Sequence, residues 1–223
     1  MAVSKGKKLL VLGVVLVIID QVIKILVKTH MSFGESFNVI GDWFRILFIE
    51  NEGMAFGMKF GGFVGKYFLT FFRVCLFCGL TWWITKLCRK GTVPTGVLVG
   101  LTLIDAGAMG NIIDCLFYGL IFTPHMPFMQ GRVVDMLYFP LIHTTWPQWM
   151  PWVGGTPFTF FDPVFNFADS CVTVGAFYLI LFHWRFFASE DSGNEDSEKN
   201  GRQSDDTNAL SSSAKKKTGA KKF

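Results

Sequence analysis

Apolar residues in this chain come in four runs long enough to cross a bilayer, at about 9–28, 64–87, 95–122 and 164–187. A hydrocarbon core about 30 Å thick needs about 20 such residues in a helix, so the pattern predicts a mainly α membrane fold of four transmembrane helices. The first run follows Lys5, Lys7 and Lys8 as a signal peptide would. It contains Asp20 and Lys24, however, and no small-residue cleavage site follows, so it reads as a retained helix. The connections have patterns of their own. Residues 29–63 include FNVIGDWFRILFIENEG, rich in β-branched and aromatic residues and ending in glycine, which predicts a small extracytoplasmic β-rich element on the membrane surface. Residues 123–163 carry seven prolines with Trp146, Trp149 and Trp152. Proline blocks helix and central strand and tryptophan favours the headgroup region, so this segment is expected to form an interfacial cap. From 188 to 223 the composition turns to Ser, Asn, Asp, Glu and Lys, with acids clustered at 190–198 and lysines at 215–222. That predicts a disordered cytoplasmic tail after one transmembrane domain spanning 1–187.

Composition fits this class: 51% of residues are hydrophobic and 17% charged, against roughly a quarter charged in soluble domains. The net charge of +4 does not imply nucleic acid, because the basic residues sit at the edges of apolar runs. Lys5, Lys7, Lys8, Lys86, Arg89 and Lys90 flank one side, which places both termini in the cytoplasm. The odd count of five cysteines, mostly within apolar runs, makes no disulfide framework. The single C-x-x-C at Cys75 and Cys78 and the isolated His125 and His143 lack the partners of a zinc site, so no metal is expected.

An ionisable group inside a membrane is costly enough to be read as functional. With this topology Asp20, Lys24, Asn111, Asp114, Asn166 and Asp169 fall in the outer halves of their helices, while Asn51 and Asp135 fall in the outer connections. Their convergence on one depth predicts a single polar site near the outer surface. Asp20 and Lys24, four apart, share a helix face. Arg73 and Asp105 differ in depth by about 12 Å at 1.5 Å per residue, so the sequence assigns neither a partner. Carboxylates within spans also suit a small proton-coupled transporter, the alternative reading, although the clustering at one depth and the lack of an internal repeat weigh against it.

Five motifs occur in order: D-Q-x-x-K (Asp20, Gln21, Lys24), N-x-G-x-A-F (Asn51, Gly53, Ala55, Phe56), G-A-x-G-N-x-x-D (Gly107, Ala108, Gly110, Asn111, Asp114), G-x-V-V-D (Gly131, Val133, Val134, Asp135) and F-N-x-A-D (Phe165, Asn166, Ala168, Asp169). Together, over nearly everything but the tail, they resemble the bacterial lipoprotein signal peptidases, or signal peptidase II. The resemblance implies an aspartic intramembrane endopeptidase that removes the signal peptide of diacylglyceryl-modified prolipoproteins just before the lipidated cysteine. It implies Asp135 and Asp169 as the catalytic pair. Asn51, Gly53, Asn111, Asp114, Asn166, Asp20 and Lys24 would bind substrate or brace the site. It also implies a bacterial inner-membrane location with the site near the outer leaflet. Prolipoproteins and membrane lipid are then the expected partners of a monomer, with no nucleic acid, cofactor or metal. Cys115 departs from the pattern, which has arginine after the aspartate of G-N-x-x-D. Asp105 likewise stands where a small residue is usual.

Overall fold

The computed structural model describes residues 2–52, 62–160 and 163–188. Four helices are long and apolar enough to cross a membrane. The first, α1, runs Ala2–His30 and begins earlier than the apolar pattern does, because its start has no proline and its alanine and lysines favour a helix enough to carry Gly6. The second, α2, runs Gly62–Lys90 and stops at Gly91, whose φ of 73° suits a residue without Cβ. The third, α3, runs Thr95–Phe122 and the fourth, α4, Phe167–Ala188. The expected start of α4 at 164 is corrected by three residues: Val164–Phe165 is a short strand and Asn166 precedes the first helical turn. Pro163 and the β-branched Val164 favour extended backbone there.

Two units are distinguished, Met1–Leu179 and Ile180–Phe223. Of the second, only the helical residues 180–188 are described, so the expected tail and its disorder lie outside the described residues. Within the first unit α3 is the central span, with 50% of its apolar window buried against 11% for α2 and 17% for α1. Leu10, Val11, Phe68, Phe71 and Val174 point outward, as lipid-facing side chains do. Glycines bring α3 and α4 close: a Cβ on Gly107 would lie 2.3 Å from the Ala168 carbonyl oxygen, and one on Gly175 2.8 Å from that of Gly100.

The surface element is larger than the first connection alone predicts. Strands β1 (Ser36–Ile40) and β2 (Phe44–Asn51) pair antiparallel, and β2 then pairs with β3 (Val133–Tyr138) from the second connection. In the cap, β4 (Ile142–Thr145) and β5 (Pro157–Phe160) form a separate hairpin, with Pro157 at a strand end where no ladder donor is required. The last strand, β6 (Val164–Phe165), completes a four-stranded sheet of order β1-β2-β3-β6. Alternation along β3 sends Val134 and Met136 into an apolar cluster with Val27, Phe48 and Tyr118. Asp135, between them, therefore faces the other way. The rings of Phe44, Phe139 and Phe165 stack at centroid distances of 4.6 and 5.7 Å, tying β2 to the chain on either side of the cap.

Candidate active site

Within α3, residues Asp114–Tyr118 widen into a π-turn. Such a turn shifts the helical ladder and frees carbonyls, and here those of Cys115 and Leu116 accept from the N–H groups of Gly131 (2.9 Å) and Met129 (3.3 Å). Gly131 is required at this contact, since a Cβ would sit 2.0 Å from the Asp114 carbonyl oxygen. The chain thus enters β3 pinned to α3, and four residues later Asp135 arrives 2% exposed.

Asp169 is placed by the start of α4. Asn166 is the N-cap residue, and its Oδ1 accepts from the Asp169 N–H at 2.9 Å while Asp169 Oδ2 accepts from the Asn166 N–H at 3.3 Å. This is a capping box in which asparagine and aspartate take the usual roles of serine and glutamate. Asp169 therefore sits in the first turn, where the helix dipole favours negative charge. The same Asn166 side chain donates through Nδ2 to Asp135 Oδ1 at 2.7 Å. One fully buried asparagine bridges the two carboxylates. Burial, reinforced by the charge of Asp169, pushes Asp135 up to about 7, against the opposing hydrogen bonds from Asn166 and Asn51.

A second layer lies beneath. Lys24 is wholly buried, with Nζ at 2.9 Å from Asp20 Oδ2, 2.7 Å from Asp114 Oδ2 and 2.9 Å from Asn111 Oδ1. Asp20 Oδ1 accepts the Ala168 N–H at 2.9 Å, adding a second cap to α4 from α1. Asn111 Nδ2 donates to Asp169 Oδ1 at 2.8 Å, and Asn111 Oδ1 also receives Asn166 Nδ2 at 3.1 Å. Asp20, Lys24, Asn51, Asn111, Asp114, Asn166, Asp135 and Asp169 thus gather at one end of the bundle. Gly53, with Ala55 and Phe56, lies outside the described residues.

Sequence reasoning gave Gln21 and Tyr118 no role in the site. Gln21 Nε2 donates to Asp114 Oδ1 at 3.0 Å, and its Oε1 accepts from the Tyr118 hydroxyl at 3.1 Å. The position of Gln21 inside D-Q-x-x-K was the available signal, whereas nothing in the sequence marked Tyr118. Arg73 Nη1 donates to Cys115 Sγ at 3.4 Å, so a guanidinium from α2 reaches the position where the resemblance has arginine. Asp105 accepts from Thr81 Oγ1 at 3.1 Å on both oxygens, well away from Arg73's contact. It lines a mostly apolar cavity of about 650 Å³ among α1, α2 and α3 that contains neither Asp135 nor Asp169.

Two carboxylates held together by shared donors, beneath a sheet at one end of a four-helix membrane bundle, make a candidate hydrolytic site in a membrane protein. Residues 12–185 match the family described as Signal peptidase (SPase) II, and the chain belongs to that family. It is therefore a membrane-embedded peptidase of lipoprotein processing. A lipoprotein signal peptidase of Porphyromonas gingivalis is 44% identical over 195 residues, covering 81% of this chain and 84% of the relative. One from Chlorobaculum tepidum is 32% identical, covering 79% and 93%. A solved bacterial membrane enzyme is similar in structure with a TM-score of 0.56 and 26% identity, covering 84% of this chain and 91% of its own.

Proposed function

We propose that the chain is an aspartic intramembrane endopeptidase that cuts diacylglyceryl-modified prolipoproteins just before the lipidated cysteine, with Asp135 and Asp169 as its catalytic groups. The observation that carries this is the asparagine bridge, which holds a carboxyl raised to about 7 beside a second carboxylate at a helix N-terminus. Peptide hydrolysis needs a base to deprotonate water and an acid to polarise the carbonyl and help protonate the departing amine. Two neighbouring carboxyls sharing one proton supply both. Water loses a proton to the ionised carboxylate as its oxygen bonds to the carbonyl carbon, and the other carboxyl donates to the carbonyl oxygen. Collapse of the tetrahedral intermediate breaks the C–N bond, and the amine takes the proton that came from water.

The site is read as lying at the outer leaflet of the bacterial inner membrane. There an acylated cysteine keeps its tails in lipid while the signal helix lies within the bilayer. Purified protein mixed with a diacylated prolipoprotein should release the signal peptide. Asp135→Asn and Asp169→Asn should each lower kcat by about a thousandfold or more, and the double variant should be little worse because the groups act as a unit. Strong turnover in either single variant would refute the assignment, as would inactivation by a chelator that added zinc reverses.

A further inference from the structure

Lys24 poses a question that charge balance does not answer. Its ammonium has three N–H bonds and no lone pair, and three acceptors saturate it: Asp20, Asp114 and Asn111. The two carboxylates already outweigh its charge, so the third bond adds no neutralisation. What it adds is orientation. An ammonium can only donate, so Asn111 must turn its oxygen toward Lys24 and therefore its NH₂ away, and on that far side Asp169 Oδ1 lies 2.8 Å from Asn111 Nδ2. Asn166 Nδ2, also donating to Asn111 Oδ1, enforces the same orientation. Asp169 then accepts on both oxygens, from Asn111 on Oδ1 and from the Asn166 N–H on Oδ2.

We propose that Lys24 is a positioning residue that, by fixing the amide of Asn111, makes Asp169 the proton acceptor of the catalytic pair and leaves Asp135 as the donor. This rests on the aspartic reading above. Asp169 takes the proton of the attacking water and passes it to the departing amine. Asp135 lends its proton to the carbonyl oxygen and recovers it as the new carboxyl forms, so the pair ends as it began. Burial of Asp135 points the same way, since a carboxyl enclosed in β3 keeps its proton more readily.

The test compares Lys24→Met, Asn111→Ala and the double variant with the wild type on the diacylated substrate, over a range of pH. If Lys24 acts through Asn111, each single change lowers kcat about tenfold to a hundredfold, as expected for one charge-assisted hydrogen bond. KM stays within about twofold, and the acid limb of the pH profile moves to higher pH. The double variant does no worse than the worse single one. Where Lys24→Met inserts poorly, Lys24→Met/Asp114→Asn removes one buried charge of each sign and is read the same way against Asp114→Asn. An unmoved acid limb with lowered thermal stability, or losses that add in the double variant, would show that Lys24 only balances Asp20 and Asp114. Absence of cleavage by the wild type would instead refute the peptidase reading beneath it.

Discussion

At the scale of single residues the two aspartates are unequal. Asp135 lies on a strand, 2% exposed, with its carboxyl pushed up to about 7 by burial and then by Asp169. If it must be protonated to act, kcat should fall as pH rises through about 7, which a pH profile of signal-peptide release reads directly. The same shift bears on stability. Between about pH 4 and 7 the folded chain holds a proton on Asp135 that the unfolded chain has released, so folding is favoured as pH falls through that window and weakened as it rises. Asp135→Asn, which carries no charge at any pH, should therefore melt several degrees above the parent at pH 8 while being inactive, with the gain shrinking toward pH 5. A thermal scan in detergent checks this, and equal melting at pH 8 would contradict the burial cost. These roles were half legible in the sequence. Residue type and depth gathered Asp135 and Asp169 with six other polar residues and the resemblance marked the pair, but the inequality depends on β3 enclosing one and a helix start presenting the other, which spacing alone does not convey.

At the scale of elements the site is a junction of helix ends and a strand. The sequence showed the spans plainly, because membrane-length apolar runs are the strongest pattern a chain offers. It also contained the N-x-x-D cap at Asn166 and Asp169, yet the apolar run continued through it to 164 and hid the boundary between β6 and α4. The run VVDMLY is likewise a strand by composition, but its partner β2 is distant in sequence and pairing at that range leaves no local mark. The π-turn at Asp114–Tyr118 has no sequence signature of its own. The glycine facing it does, once its neighbour is known. Gly131→Ala would drive a methyl to 2.0 Å from the Asp114 carbonyl oxygen, a backbone atom that cannot swing aside. It should cost about 1–3 kcal/mol and displace Asp135, lowering activity along with melting temperature. Gly13→Ala is the matched control, its Cβ meeting only Thr102 Cγ2 at an ordinary 3.6 Å. Equal effects of the two changes would mean that the turn contact does not hold β3 in place.

At the scale of the whole molecule, one end of the bundle carries the sheet, the cap and the described site residues, and the other carries the basic end of α2 at Lys86, Arg89 and Lys90. Positive residues near span ends tend to stay cytoplasmic, and on that rule we propose that the site end is the outer one, where substrate would meet the enzyme in the outer leaflet. Residues 189–223 would be returned to the cytoplasm by four spans counted from a cytoplasmic start. Their low apolar content gives them no core to form, so ending the chain after Ala188 should leave peptidase activity within about twofold of the full chain's. A truncated protein that inserts normally but is inactive would assign the tail a role that its composition does not suggest. Orientation is tested separately, by single cysteines at two described and exposed positions. Trp152, fully exposed in the cap, should label from outside intact cells as Trp152→Cys. Thr92, exposed in the turn between α2 and α3, should label as Thr92→Cys only after the cells are opened. Both are read in a Cys88→Ser background, because Cys88 lies half-buried four residues before Thr92, whereas Cys75 and Cys78 lie within α2 and out of reach of a charged, membrane-impermeant maleimide. The reverse pattern would place Asp135 and Asp169 at the cytoplasmic face. A substrate whose acylated cysteine is anchored in the outer leaflet would not reach them there, so the proposed reaction would fail with the orientation.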